Sequence, residues 1–314
     1  MIGYLKQSPI LLQFLTFFGF FFGFSALYVV GIQSLTPTIT GQSLDALQRT
    51  LDPNFVGYLK IIQLAYTIIA FIVPAAIFAY LWQPYPMSYL GLKLPSKAIL
   101  WVLALLAMFG VLPLSGALGE WNQSWQVPQS VKDMEALAEK LLGVMLKMPT
   151  IKDLFINLIL VAIIPAIGEE LFFRGVLQRL IINATGKVWL SIFITAVIFS
   201  AIHMEILAFV PRVLLGFALG AIYVISGNLW LAIGAHVLNN GLQVVMLYLF
   251  QHGIVKEDPQ ADSHIEWYYV ALSIPVTIGL FWALKQKSPA GAMITGENKS
   301  TVGEVDEIGK DGNL

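Results

Sequence analysis

The chain has 314 residues, 57% of them hydrophobic and only 12% charged. A soluble domain carries about 25% charged residues, so water-soluble folds are excluded. A net charge of −1 offers no field for nucleic acid, and the absence of cysteine removes disulfides, thiolate metal sites and cysteine nucleophiles.

Eight apolar stretches come close to the roughly 20 residues that a helix needs to cross a bilayer. They run near 9–32, 55–82, 98–118, 153–172, 188–204, 207–226, 228–250 and 266–284. The fold class expected is therefore all-α, a polytopic transmembrane helical bundle of about eight spans. The first stretch is far longer than the 7–15 apolar residues of a signal-peptide core, and it reads as a retained span. Within it Gly19 and Gly23, and within the sixth span Gly216 and Gly220, have the spacing of close helix contacts. Residues 33–54 carry Thr, Gln and Asp and are expected to form an exposed loop. Between the third and fourth spans, Leu137, Leu141, Leu142 and Met145 recur at helical spacing among lysines and acids. That pattern predicts an amphipathic helix over 131–148, lying on the membrane surface. From about Ser288 the chain is Gly-rich and charged, the composition of a disordered tail. The expected division is residues 1–150 for the N-terminal spans and surface helix, 151–286 for a catalytic core, and 287–314 for the tail. Trp82, Trp230 and Trp267 fall near span ends, as an aromatic belt would.

Charge placement suggests an orientation. With eight spans, Lys6, Lys93, Lys97, Arg179, Lys187, Lys285 and Lys287 share one side. The opposite short loops hold mainly Arg49 and Lys256, beside several acids, while loop 119–150 breaks the pattern with three lysines, balanced by its acids. The positive-inside rule then puts both termini in the cytoplasm of a multi-pass protein, with a bacterial cytoplasmic membrane as the expected location.

Gly168-Glu169-Glu170-Leu171-Phe172-Phe173-Arg174-Gly175 places three charges at the end of the fourth apolar run. Each costs roughly 2.5–3.5 kcal/mol at mid-bilayer, so such residues mark a functional site by default. Pro165, inside the same run, lacks the N–H that the carbonyl of Val161 would accept, which breaks the helix beside the acids. Glu170 and Arg174 are four apart and can pair on one face, leaving Glu169, about 100° away, as the freer carboxylate. A desolvated carboxylate suits general acid/base work. The competing reading is three charges capping a span at the interface. Phe199 and His203 share a face at the end of the fifth span. His236 and Asn240 share one inside the seventh, where two polar groups pointing one way need a common partner. Each pair alone has a mundane reading, as an interfacial histidine or a helix–helix hydrogen bond. Together they bring one free acid, two imidazoles and an amide onto three separate spans.

Glu-Glu-x-x-x-Arg at 169–174, Phe-x-x-x-His at 199–203 and His-x-x-x-Asn at 236–240 resemble, in order, the motifs of the CPBP intramembrane proteases. That family includes the type II CAAX prenyl endopeptidases and bacteriocin-processing or self-immunity proteins. The resemblance covers about residues 150–250. It implies an intramembrane endopeptidase in which Glu169 with His203 activates a water, while His236 and Asn240 donate hydrogen bonds to the oxyanion. Glu170 and Arg174 would brace the site, and Phe199 would only pack. No obligatory metal is implied. Glu169, His203 and His236 form the alternative zinc set of two histidines and a carboxylate, although the chain has no His-Glu-x-x-His. The expected partners are membrane lipid and a peptide or membrane-protein substrate. The non-enzymatic alternatives are a membrane scaffold or bacteriocin-immunity protein, and an ion-coupled transporter.

Overall fold

The computed structural model describes residues 4–83, 85–95, 97–259 and 264–289. Among these residues the chain is helical throughout, with no strand. The nine principal helices are α1 (Ile10–Thr40), α2 (Pro53–Trp82), α3 (Ala98–Gln123), α4 (Gln129–Met145), α5 (Ile151–Thr185), α6 (Val188–Ile202), α7 (Phe209–Ser226), α8 (Leu229–Gln251) and α9 (Trp267–Lys287). With the preceding turn Ile206–Ala208 counted into α7, seven of them are long and apolar enough to cross a membrane; α6 is a shorter apolar helix and α4 is the amphipathic one. Leu11, Leu27, Phe109, Leu272 and Trp282 are all strongly exposed on their outer faces. On helices of this length and hydropathy, such a surface is one that lipid covers. The chain is an integral, multi-pass membrane protein.

Local chemistry sets the helix limits. Gly41, Gly186 and Gly227 end α1, α5 and α7 in the left-handed conformation, each returning its N–H to the last turn. Thr150 and Asp153 form a reciprocal capping box at the start of α5. Two sequence expectations fail here. Residues 33–54 are not a loop, since α1 runs on to Thr40 and a short helix spans Leu44–Thr50. The fourth span does not stop near residue 172, because α5 continues to Thr185 and carries the charges inside the bundle. Arg179 is therefore no loop charge. Its guanidinium lies over the Tyr89 ring at 4.5 Å and donates to the Tyr89 carbonyl and, at 3.2 Å, to the Tyr223 hydroxyl. The tail beyond residue 289 lies outside the described residues.

Pro74 in α2 and Pro165 in α5 are each preceded by a wide, π-type turn, Thr67–Ile72 and Leu158–Ile163. The ladder shifts by one residue just before the ring that cannot donate, so Val73 bonds to Ile68 and Ile164 to Ile159. The Thr67–Ile72 turn packs against Ile164–Glu170 of α5, whereas the Leu158–Ile163 turn packs against α8. A third wide turn, Leu171–Leu177, encloses Arg174. Around α5 the N-terminal spans supply an aromatic cluster, with Phe17 4.5 Å and Phe71 5.3 Å from Phe172.

Close approaches differ between the two glycine pairs. A Cβ at Gly216 would meet Ala196 and Phe199 at 3.2–3.3 Å, and one at Gly220 would meet Gln178 at 2.6 Å and Ile192 at 2.8 Å. Gly19 and Gly23 have nothing within 4 Å, so the expected contact is absent there. Trp82 is not in an outer belt either, being buried against Tyr89 at 5.2 Å, whereas Trp267 is 75% exposed.

Candidate active site

Four elements meet at the polar cluster: α5, the end of α6, α7 and α8. Glu170 faces inward on α5 and is fully buried, as is Arg174. Their ion pair, Nη1 to Oε1 at 2.6 Å, is the one the four-residue spacing predicts. The second guanidinium nitrogen donates to the Gly216 carbonyl of α7 at 2.8 Å. That carbonyl is reachable because glycine lets α7 approach α6 so closely. The cation also sits 4.8 Å over the Phe199 ring. Phe199 therefore does more than pack, contrary to expectation, since its π face helps to solvate a buried charge.

His236 completes this buried set. Its Nδ1 is 2.8 Å from Glu170 Oε1, the same oxygen that receives Arg174. Its Nε2 points to Glu169 Oε2 at 3.7 Å. Sequence alone paired His236 with Asn240 and Glu170 with Arg174; it did not link the two pairs. Glu170 accepting from Nδ1 fixes the ring, so that Nε2 is the nitrogen presented to Glu169. Glu169 keeps 16% of its side chain accessible, against none for Glu170. The adjacent carboxylates thus divide into a braced interior one and a reachable one.

His203 lies just past α6, with its Nδ1 2.7 Å from the Phe199 carbonyl. The Phe199 ring separates the two imidazoles, 4.9 Å from His203 and 6.0 Å from His236. Glu169 acts electrostatically on His203, as do Arg212 and Glu205. Arg212, whose role the sequence left open, is ion-paired with Glu205. Asn240 lies one turn beyond His236, and its Oδ1 accepts from Asn239 Nδ2 at 3.0 Å. That bond orients the Asn240 amide, and Asn239 was missed because nothing in its spacing distinguishes it. Among the described residues, no three His, Asp or Glu side chains are gathered as a metal-ligand set. A wholly apolar cleft of about 240 Å³, lined by Val111, Trp189, Phe217, Ala218 and Thr277 among others, lies apart from this cluster.

Residues 151–242 match the family model described as type II CAAX prenyl endopeptidase Rce1-like. All seven residues of the three motifs fall inside the match, which ends just after Asn240. This segment is a CAAX-protease domain of the CPBP family. No curated protein and no solved structure gives a match. The CAAX-protease domain comprises α5 to α7 and most of α8. The N-terminal spans, α4 and α9 lie outside it.

Proposed function

We propose that the protein is an intramembrane endopeptidase that hydrolyses peptide bonds near the membrane with a water activated by Glu169 and His203. The observation that carries this reading is the contrast between the two neighbouring carboxylates. Glu170 is locked by Arg174 and His236, while Glu169 is accessible and faces a ring nitrogen held in place by that lock. Glu169 takes a proton from water, and the oxygen attacks the peptide carbonyl carbon. The carbonyl oxygen becomes an oxyanion and accepts hydrogen bonds from His236 and from the Asn240 amide. The C–N bond then breaks, and the proton held at Glu169 passes to the leaving amine. His203 orients the water beside Glu169. The substrate is a peptide or membrane protein that reaches the site in contact with lipid. The scheme requires no metal. The His203 loop lies at the end of the bundle opposite the lysine-rich loops, which the positive-inside rule places in the cytoplasm with both termini.

The test is cleavage of a peptide substrate by the detergent-solubilised full chain. Glu169→Gln and His203→Ala are expected to lower kcat by about 10²–10⁴-fold, with the fold retained. Wild-type cleavage by Glu169→Gln would sink the proposal. Loss of wild-type activity on chelation would instead assign water activation to a cation held by Glu169, His203 and His236.

A further inference from the structure

The placement of His203 depends on a loop that is also tied from outside the CAAX-protease domain. The imidazole is bonded to the last turn of its own helix through the Phe199 carbonyl, so it moves with the end of α6. Directly after it the chain reverses through Met204 at φ 57, a left-handed conformation in a residue that is not glycine. Such a conformation persists only where its surroundings hold it. Glu205 follows in an extended conformation, and a tight turn, Ile206–Ala208, leads into α7.

Two side chains from the N-terminal half grip this turn. Asn122, at the end of α3, is fully buried. Its Nδ2 donates to the Ile206 carbonyl at 3.0 Å, and its Oδ1 accepts from the Val210 N–H at 2.7 Å. Glu135, on α4, accepts from the N–H groups of Ile206 at 2.6 Å and Leu207 at 3.2 Å through a single oxygen. These are the orphan donors that begin the turn, and a carboxylate there is favoured by their partial charge. Helix α4 buries none of its own residues, yet it sends this carboxylate to the loop. The ties from within the domain are of shorter range, among them Ser200 Oγ to the Phe209 carbonyl at 2.8 Å, the Met204 N–H to the Ala201 carbonyl at 3.1 Å and the Glu205–Arg212 pair.

We infer that Asn122 and Glu135 are positioning residues for His203, so that the N-terminal half completes the geometry of a site whose chemical groups all lie in the CAAX-protease domain. This rests on the proposed hydrolysis by Glu169 and His203. The surface helix is then a strut of the active site rather than a membrane anchor alone.

The experiment compares Glu135→Ala, Glu135→Gln, Asn122→Ala and Glu169→Gln in the full chain, measuring peptide cleavage and thermal melting together. Glu135→Ala is expected to lower kcat by about 10–100-fold, with KM and the melting temperature little changed. Glu135→Gln should recover most of that loss, because an amide oxygen still accepts both N–H groups. Asn122→Ala should match Glu135→Ala in kcat but melt lower. Because the chain has no cysteine, His203→Cys supplies an independent reading. Its alkylation should become several-fold faster when Glu135→Ala is added. Wild-type kcat and an unchanged alkylation rate for Glu135→Ala would overturn the inference. So would losses that track melting temperature with no rescue by Gln. A wild-type rate for Glu169→Gln would remove the proposed chemistry itself, and an inactive Glu169→Gln beside a fully active Glu135→Ala would remove only the positioning role.

Discussion

Arg174 carries a charge with no exposure to water, and each part of its environment answers that cost differently. Glu170 neutralises it, the Gly216 carbonyl takes a second N–H, and Phe199 offers its π face. Removing one member of a buried pair leaves a charge uncompensated, which costs about 3–5 kcal/mol. Arg174→Met is therefore expected to destabilise the protein by about that much. Arg174→Lys should fall between, since an ammonium cannot present the planar fork that reaches Glu170 and Gly216 together. Adding Glu170→Gln to Arg174→Met should recover part of the loss. Unfolding midpoints in detergent for wild type, Arg174→Met, Glu170→Gln and the double variant give the coupling directly, and additive losses would contradict the pairing. The sequence revealed this pair because four residues make one helical turn. It concealed the His236–Glu170 bond, which joins groups 66 residues apart and on different helices. Asn122 and Glu135 were concealed for the same reason, being separated from Ile206 by 84 and 71 residues. Periodicity reports which face a side chain occupies. It does not report what stands opposite.

The element scale gives the same lesson through the glycines. Gly19-x-x-x-Gly23 and Gly216-x-x-x-Gly220 are identical as patterns, yet only the second sits at a helix crossing. A leucine at Gly220 would place its Cβ within 2.6 Å of Gln178 and 2.8 Å of Ile192. Overpacking of this kind costs typically about 1–3 kcal/mol, so Gly220→Leu should lower the melting temperature clearly. Gly19→Ala meets nothing and removes a flexible residue from a helix interior, a change expected to stabilise by about 0.5–1 kcal/mol. Equal effects at the two positions, measured by thermal melting in one detergent, would show that the crossing does not bear on stability. Pro165 was legible as a break in α5, but its form was not. A chain read as α-helix has no place for an extra residue in a turn, and the wide turn Leu158–Ile163 absorbs the missing donor without parting the helix.

For the whole molecule, apolar length was enough to find the spans, because burial in lipid constrains every residue of a spanning helix, and helical periodicity found the amphipathic helix. Sidedness depends on fewer residues. One end of the bundle carries Lys93, Lys97, Lys187, Lys285 and Lys287. The other carries Glu120, Glu135, Glu205 and Glu257, with Arg49, Lys132, Lys140, Lys147, Lys152 and Lys256 among them, and it is the end where the His203 loop lies. With Lys6 counted, removing Arg179 from the loop count leaves the two ends with equal numbers of lysines and arginines, so the positive balance of the first end rests on the absence of acids from its short loops. Charge at the two ends therefore predicts that the first end is cytoplasmic and that the His203 loop faces the opposite compartment. Single cysteines placed in this cysteine-free chain at the exposed positions Lys93, Lys287 and Lys140 test this in intact cells with a thiol reagent that does not cross membranes. Lys140→Cys should be labelled from outside, and Lys93→Cys and Lys287→Cys only after lysis. The inverse pattern would turn the site towards the cytoplasm, where its substrates would have to arise. Labelling of Lys93→Cys and Lys287→Cys from different sides would break the even number of crossings, and with it the bundle that carries α5, α6 and α8 to one site.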